Sequence, residues 1–122
     1  MAKEPFYNSL LFSLKGLKWI FRNERNFQLE IAALFLNLFL ILFLRLNLID
    51  AVLILLVSAF VLVTEIINTT IEKLCDFVEP SFNKKIGIIK DISAGAVLLS
   101  TIFAIVIGAI IYWPYLEKIL SS

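Results

Sequence analysis

Residues 51–80 read AVLILLVSAFVLVTEIINTTIEKLCDFVEP. From Ala51 to Thr64 the run carries no charge, and then Glu65, Asn68, Glu72 and Asp76 follow at three- and four-residue spacing. On a helix, residues three and four apart stand above one another, so these four side chains share one face. An ionisable group within or just below a membrane span is costly and usually faces a protein interior or a site. The stretch therefore predicts a transmembrane helix that ends in a polar, functional stripe.

The whole chain supports lipid as the solvent. It has 122 residues, 61% of them hydrophobic, and a mean hydropathy of +0.95. One domain of that size could not hide so much apolar surface from water. A net charge of +1 gives no reason to expect a nucleic-acid partner. The sequence has no histidine, which excludes an imidazole base or a histidine metal ligand. Cys75 is the single cysteine, so no intramolecular disulfide forms, and it reads as an ordinary buried residue.

Working outward from the central run, the expected fold is an all-α membrane protein: an N-terminal amphipathic surface helix followed by three transmembrane helices. A single membrane domain fills 1–122, with the surface helix over 1–28 and spans over 29–46, 50–77 and 86–114. The middle span carries a polar extension. In the first segment Phe6, Leu10, Leu14, Leu17 and Phe21 recur at helical spacing, interleaved with Lys15, Lys18, Arg22 and Arg25. Pro5 suits a first turn, and no signal-peptide cleavage pattern is present. The segment reads as a helix lying in the membrane interface rather than one packed only on protein.

Lys3, Lys15, Lys18, Arg22 and Arg25 precede the first span, and Lys73, Lys84, Lys85 and Lys90 lie between the second and third. Only Arg45 and Lys118 fall on the other side. The positive-inside rule then makes the N-terminus cytoplasmic and the C-terminus external. Trp113 and Tyr115 fit an outer aromatic belt, with Pro114 expected to end the last helix. Ala96, Ser100, Ala104 and Gly108 form a small-residue stripe of the kind that lets helices approach closely in lipid. Asp91, flanked by Gly87 and Gly95, reads as a buried carboxylate in need of a partner.

Depth divides the stripe. If the middle span begins at Asp50, Glu65 lies about 22 Å along it, inside a core about 30 Å thick. Glu72 falls near the boundary and Asp76 in the aqueous zone. Glu65 can meet a lipid headgroup while Glu72 meets a water-soluble substrate. Glu24 and Glu72 end their helices at similar depth, and such carboxylates hold Mg²⁺ together with substrate phosphates. Lys90 could neutralise phosphate charge. The bland alternative is a set of interfacial ion pairs, such as Lys90 with Glu72, and composition alone favours it. A proton- or cation-coupled transporter using Glu65 as a relay is a rival, although such sites sit near the midplane at broken helices. A structural subunit assembling through the small-residue stripe is another.

The run Glu65-Ile66-Ile67-Asn68-Thr69-Thr70-Ile71-Glu72-Lys73-Leu74-Cys75-Asp76 resembles the signature of the prokaryotic diacylglycerol kinase family, which includes undecaprenol kinases. Lys90-Asp91-Ile92-Ser93-Ala94-Gly95-Ala96 is similar to its second conserved stretch. Lys15-Gly16-Leu17 and Asn23-Glu24-Arg25-Asn26-Phe27 resemble its N-terminal helix, so the likeness covers nearly the whole chain in order. The resemblance implies an ATP- and Mg²⁺-dependent lipid kinase of the bacterial inner membrane, a homotrimer with active sites shared between protomers. It implies Glu65 as general base with Asn68 orienting the reacting groups. It also implies Glu24 and Glu72 as Mg²⁺ ligands, Lys90 on phosphate, and Asp76 and Asp91 in the nucleotide site. The sequence departs from the family pattern at Asn83, where some members have histidine, and at Pro5 and Asn8, where some carry basic residues. Glu24-Arg25-Asn26-Phe27 and Ala94 to Ser100 look closer to the undecaprenol kinase branch, which puts undecaprenol ahead of diacylglycerol as the expected lipid.

Overall fold

The structure is a computed structural model that describes residues 5–122, so Lys3 lies outside the described residues. Four helices follow in order: α1 (Phe6–Asn23), α2 (Arg25–Phe43), α3 (Leu48–Val78) and α4 (Lys84–Leu120). The last three are each long and apolar enough to cross a membrane. At about 1.5 Å per residue, the 19 residues of α2 span about 28 Å, close to a hydrocarbon core. The 31 residues of α3 reach about 46 Å, so one end must project beyond it.

α3 is the central element and packs against both α2 and α4, while α1 packs on α2. Little of the apolar surface is buried inside one chain: Ile54, Val61 and Ile111 are, whereas Phe35, Phe39, Phe60 and Leu98 are exposed. That pattern suits helices whose outer faces meet lipid tails rather than water.

α1 and α2 are separated by a single residue. Glu24 is extended, with φ −112° and ψ 113°, and serves as the last cap of α1 and the first cap of α2. The corner therefore comes at Glu24 rather than at 28. The Gln28 side chain stitches it by donating to the carbonyl of Phe21 at 2.9 Å, one of the orphan acceptors of α1's last turn. Phe27 and Ile20 are buried on either side of the corner.

The α2–α3 turn passes through Arg45 at φ 55°, a left-handed conformation rarely adopted by a residue with a Cβ. Asn47 then caps α3, its Oδ1 accepting from the Asp50 N–H at 2.8 Å. Asn83 caps α4 likewise, accepting from the N–H groups of Lys85 and Ile86. That cap starts α4 at Lys84, two residues before the expected 86.

Pro114 does not end α4. The helix runs through it to Leu120. A proline inside a helix removes one backbone bond and clashes with the preceding turn. Here Tyr115 fastens the following stretch: its hydroxyl donates to Asp50 Oδ2 at 2.7 Å and accepts from the Asn47 N–H at 3.2 Å. One turn earlier, the Tyr112 hydroxyl donates to Asn37 Oδ1 at 2.8 Å. Asn37 Nδ2 reaches Ser58 Oγ at 3.5 Å, and Ser58 donates to the Ile54 carbonyl at 2.8 Å. Polar groups on three spans thus satisfy one another where no bulk water can.

Of the small-residue stripe on α4, Ser100 is buried and Ala104 and Gly108 are half-buried, while Ala96 is exposed. Asp91 is also exposed, contrary to the expectation of a buried carboxylate. Within one chain no other part of the described fold covers it, and it forms no ion pair among the described residues.

Candidate active site

The polar stripe of α3 lies at the end remote from Asn47 and Tyr115. Glu65 is only 3% exposed and Asn68 6%. Burial of a carboxylate to this degree in a protein with so small a core is costly unless something uses it. One turn along, Asn68 Nδ2 donates to Glu72 Oε1 at 2.7 Å, which fixes the amide's orientation and tethers an otherwise exposed carboxylate. Asn68 Oδ1 is then left buried with no hydrogen-bond partner among the described residues. An unsatisfied buried acceptor of this kind needs a donor such as a hydroxyl or a bound water.

The Glu24 corner brings a second set of groups to the stripe. Glu24, Glu30 and Glu72 all lie close enough to Glu65 to act on it electrostatically, and the Asn26 side chain sits beside its carboxylate. No lysine or arginine among the described residues forms an ion pair with any of these four carboxylates. A concentration of negative charge without a cation is suited to a metal–phosphate complex. Among the described residues, no three carboxylates converge tightly enough to hold a metal by themselves. Two carboxylates with phosphate oxygens completing the shell remain a normal arrangement for Mg²⁺.

Of the expected site residues, Asn68 and Glu72 are hydrogen-bonded to each other one turn beyond the buried Glu65, and Glu24 lies within electrostatic reach of Glu65. Lys90 is on α4 and pairs with Asp76 of α3, not with Glu72. Both partners are on the outside, the Lys90 side chain 37% and the Asp76 side chain 60% exposed. Asp91 stands apart from the cluster, exposed on α4 and without an ion-pair partner among the described residues. Glu30 and Asn26 join the site although the stripe pattern did not single them out. The signal was available only in the spacing of Glu24, Asn26 and Glu30 around the corner, and nothing in the sequence marks where that corner falls.

The fold and this cluster define a class: a small three-span helical membrane protein with an acidic, amide-bearing site at one end of its central helix. The pattern of the family described as prokaryotic diacylglycerol kinase matches residues 11–112. The diacylglycerol kinase of Escherichia coli (strain K12) is 30% identical over 104 residues, 85% of this chain and 85% of its own. That of Synechocystis sp. (strain ATCC 27184 / PCC 6803 / Kazusa) is 29% identical over 113 residues, 92% of this chain and 65% of its own. The chain belongs to the prokaryotic diacylglycerol kinase family, whose members are lipid kinases. The transporter reading finds no support, and α3 is unbroken through the site.

Proposed function

We propose that the protein transfers the γ-phosphoryl group of ATP to the hydroxyl of a membrane lipid alcohol. The observation that carries this reading is Glu65, a buried carboxylate at the end of an apolar helix beside the unpartnered Asn68 Oδ1. Glu65 takes the proton of the lipid hydroxyl. The hydroxyl oxygen then attacks the γ-phosphorus, and ADP leaves from the opposite side. Asn68 Oδ1 faces the donor-bearing substrate while its Nδ2 keeps Glu72 in place.

Glu24 and Glu72 would hold Mg²⁺, which supplies neutralisation of the phosphate charge. Phosphoryl transfer depends chiefly on such positioning and neutralisation. Lys90, paired with Asp76 in the resting chain, exchanges that partner for nucleotide phosphate, and Asp76 and Asp91 border the nucleotide. Asp91 faces away from its own cluster, which supports its use in the site of a neighbouring protomer. The assembly proposed is a homotrimer with sites shared between chains, with α1 lying in the interface. The site end is cytoplasmic and the C-terminus is outside the inner membrane, as the lysine and arginine placement suggests. Undecaprenol is the preferred lipid, on the likeness of the Glu24–Phe27 and Ala94–Ser100 stretches to that branch.

The test is purified protein with γ-labelled ATP and Mg²⁺, offered undecaprenol, diacylglycerol and ceramide in turn, with lipid products resolved. Label in undecaprenyl phosphate above all other products is expected. Label in phosphatidic acid alone would overturn the lipid assignment, and label in no lipid would overturn the reading itself.

A further inference from the structure

A groove between α1 and α3 runs along the flank of the carboxylate stripe, and the reaction set out above leaves it unused. Gly16, Leu17 and Ile20 line it from α1 and Ile66 and Thr69 from α3, with Lys73 the last α3 residue on its wall. Its volume is about 560 Å³, within the range of sites that hold small organic ligands. A Cβ at Gly16 would meet nothing within 4 Å, so the groove is open at that point.

The charge at its end is unusual. The Lys73 ammonium lies 5.3 Å from the centre of the Trp19 ring and forms no ion pair among the described residues. Its acidic neighbours on α3 are engaged elsewhere, Glu72 with Asn68 and Asp76 with Lys90. A ring face answers a cation only weakly, whereas a phosphate makes short charge-assisted bonds to an ammonium. Lys73 follows Glu65 by eight residues, about 12 Å along the helix. A lipid with its chain at the level of Ile66 therefore presents its head to Lys73.

We propose that this groove retains the phosphorylated lipid after transfer, with its phosphomonoester on Lys73 and its chain along Gly16, Leu17 and Ile20. The neutral lipid alcohol offers Lys73 nothing comparable, so the groove selects product over substrate. In the empty groove Trp19 holds the ammonium, and product binding lifts it off the ring. The proposal rests on the lipid-kinase reading for the source of the phosphomonoester.

The experiment uses the full chain carrying Trp113→Phe, which leaves Trp19 as the single tryptophan, in bilayer discs of zwitterionic lipid. Its emission is followed while a short-chain lipid phosphomonoester, the matching alcohol, an anionic phosphodiester lipid or inorganic phosphate is added. A saturable change with the phosphomonoester alone is expected. Lys73→Met should weaken it about tenfold, the equivalent of about 1.4 kcal/mol, and Lys73→Arg should restore most of it. Gly16→Leu should block it by filling the groove. In turnover, added lipid phosphate should inhibit the Lys73→Met protein about tenfold less well, with the KM for nucleotide unmoved. An equal response to the phosphodiester lipid, a response to inorganic phosphate, or indifference to Lys73 would each overturn the proposal. Failure of the kinase reading looks different: no lipid is phosphorylated, whatever the tryptophan titration gives.

Discussion

Glu65 combines a charged side chain with near-complete burial, and its surroundings add three more carboxylates rather than a cation. Glu65→Gln keeps the shape and the burial but removes the ability to take a proton. Turnover should fall by about 10²–10⁴-fold, the usual contribution of a positioned base, while nucleotide binding measured by fluorescence or calorimetry stays intact. Activity within a few-fold of the parent protein would remove Glu65 from the base role. The stripe itself was legible in the sequence, because helical spacing alone puts Glu65, Asn68 and Glu72 on one face. Asn26 and Glu30 were not, since their place depends on the α1–α2 corner. The partner of Lys90 was not legible either: Asp76 and Glu72 are one turn apart on α3, and only the packing of α4 decides between them.

At the scale of the helices, the three spans could be read from hydropathy, while their ends depended on caps and corners. Asn83 illustrates this. It stands where some relatives of the family pattern carry histidine, and in this chain its Oδ1 binds two backbone N–H groups at the start of α4. Asn83→Ala should lower stability by about 1 kcal/mol, read by unfolding in denaturing detergent, whereas Asn83→Asp should preserve it. Equal losses in both variants would show that capping is not its contribution. Pro114 points the opposite way, because a rule about isolated helices cannot foresee a tyrosine clamp to the start of α3. The Tyr112–Asn37 bond makes the same point across elements. A double-mutant cycle with Tyr112→Phe and Asn37→Leu should give a coupling of about 0.6 kcal/mol, and at most about 1.7, as for other hydrogen bonds between spans. Strict additivity would mean that the bond is replaced by other partners once broken.

For the whole molecule, the single chain leaves Asp91, Gly95 and Ala96 uncovered on α4, while Glu24 and Glu72 each lie within electrostatic reach of Glu65. Composition announces a membrane protein, but it carries no trace of the assembly proposed above, because helix faces for lipid and for protein have nearly the same polarity. Glu24→Ala and Glu72→Ala should each raise the Mg²⁺ requirement, and the double variant should be little worse than either single one, since the two are proposed to hold one ion. Co-expression of the two single variants, assayed at a Mg²⁺ level too low for either alone, should restore part of the activity if each site draws these residues from different chains. No recovery in mixed assemblies proven by differential tags would assign both residues to one chain. The corner at Glu24 carries a separate consequence. With α1 lying flat and α2 crossing, as proposed, that one extended residue absorbs every change of angle between them. A thicker bilayer draws α2 upright and a thinner one tilts it, and the carboxylate swings with the bend while Glu72 stays on the rigid α3. Turnover should therefore follow acyl-chain length in the host bilayer, making the enzyme a gauge of membrane thickness through the position of one side chain.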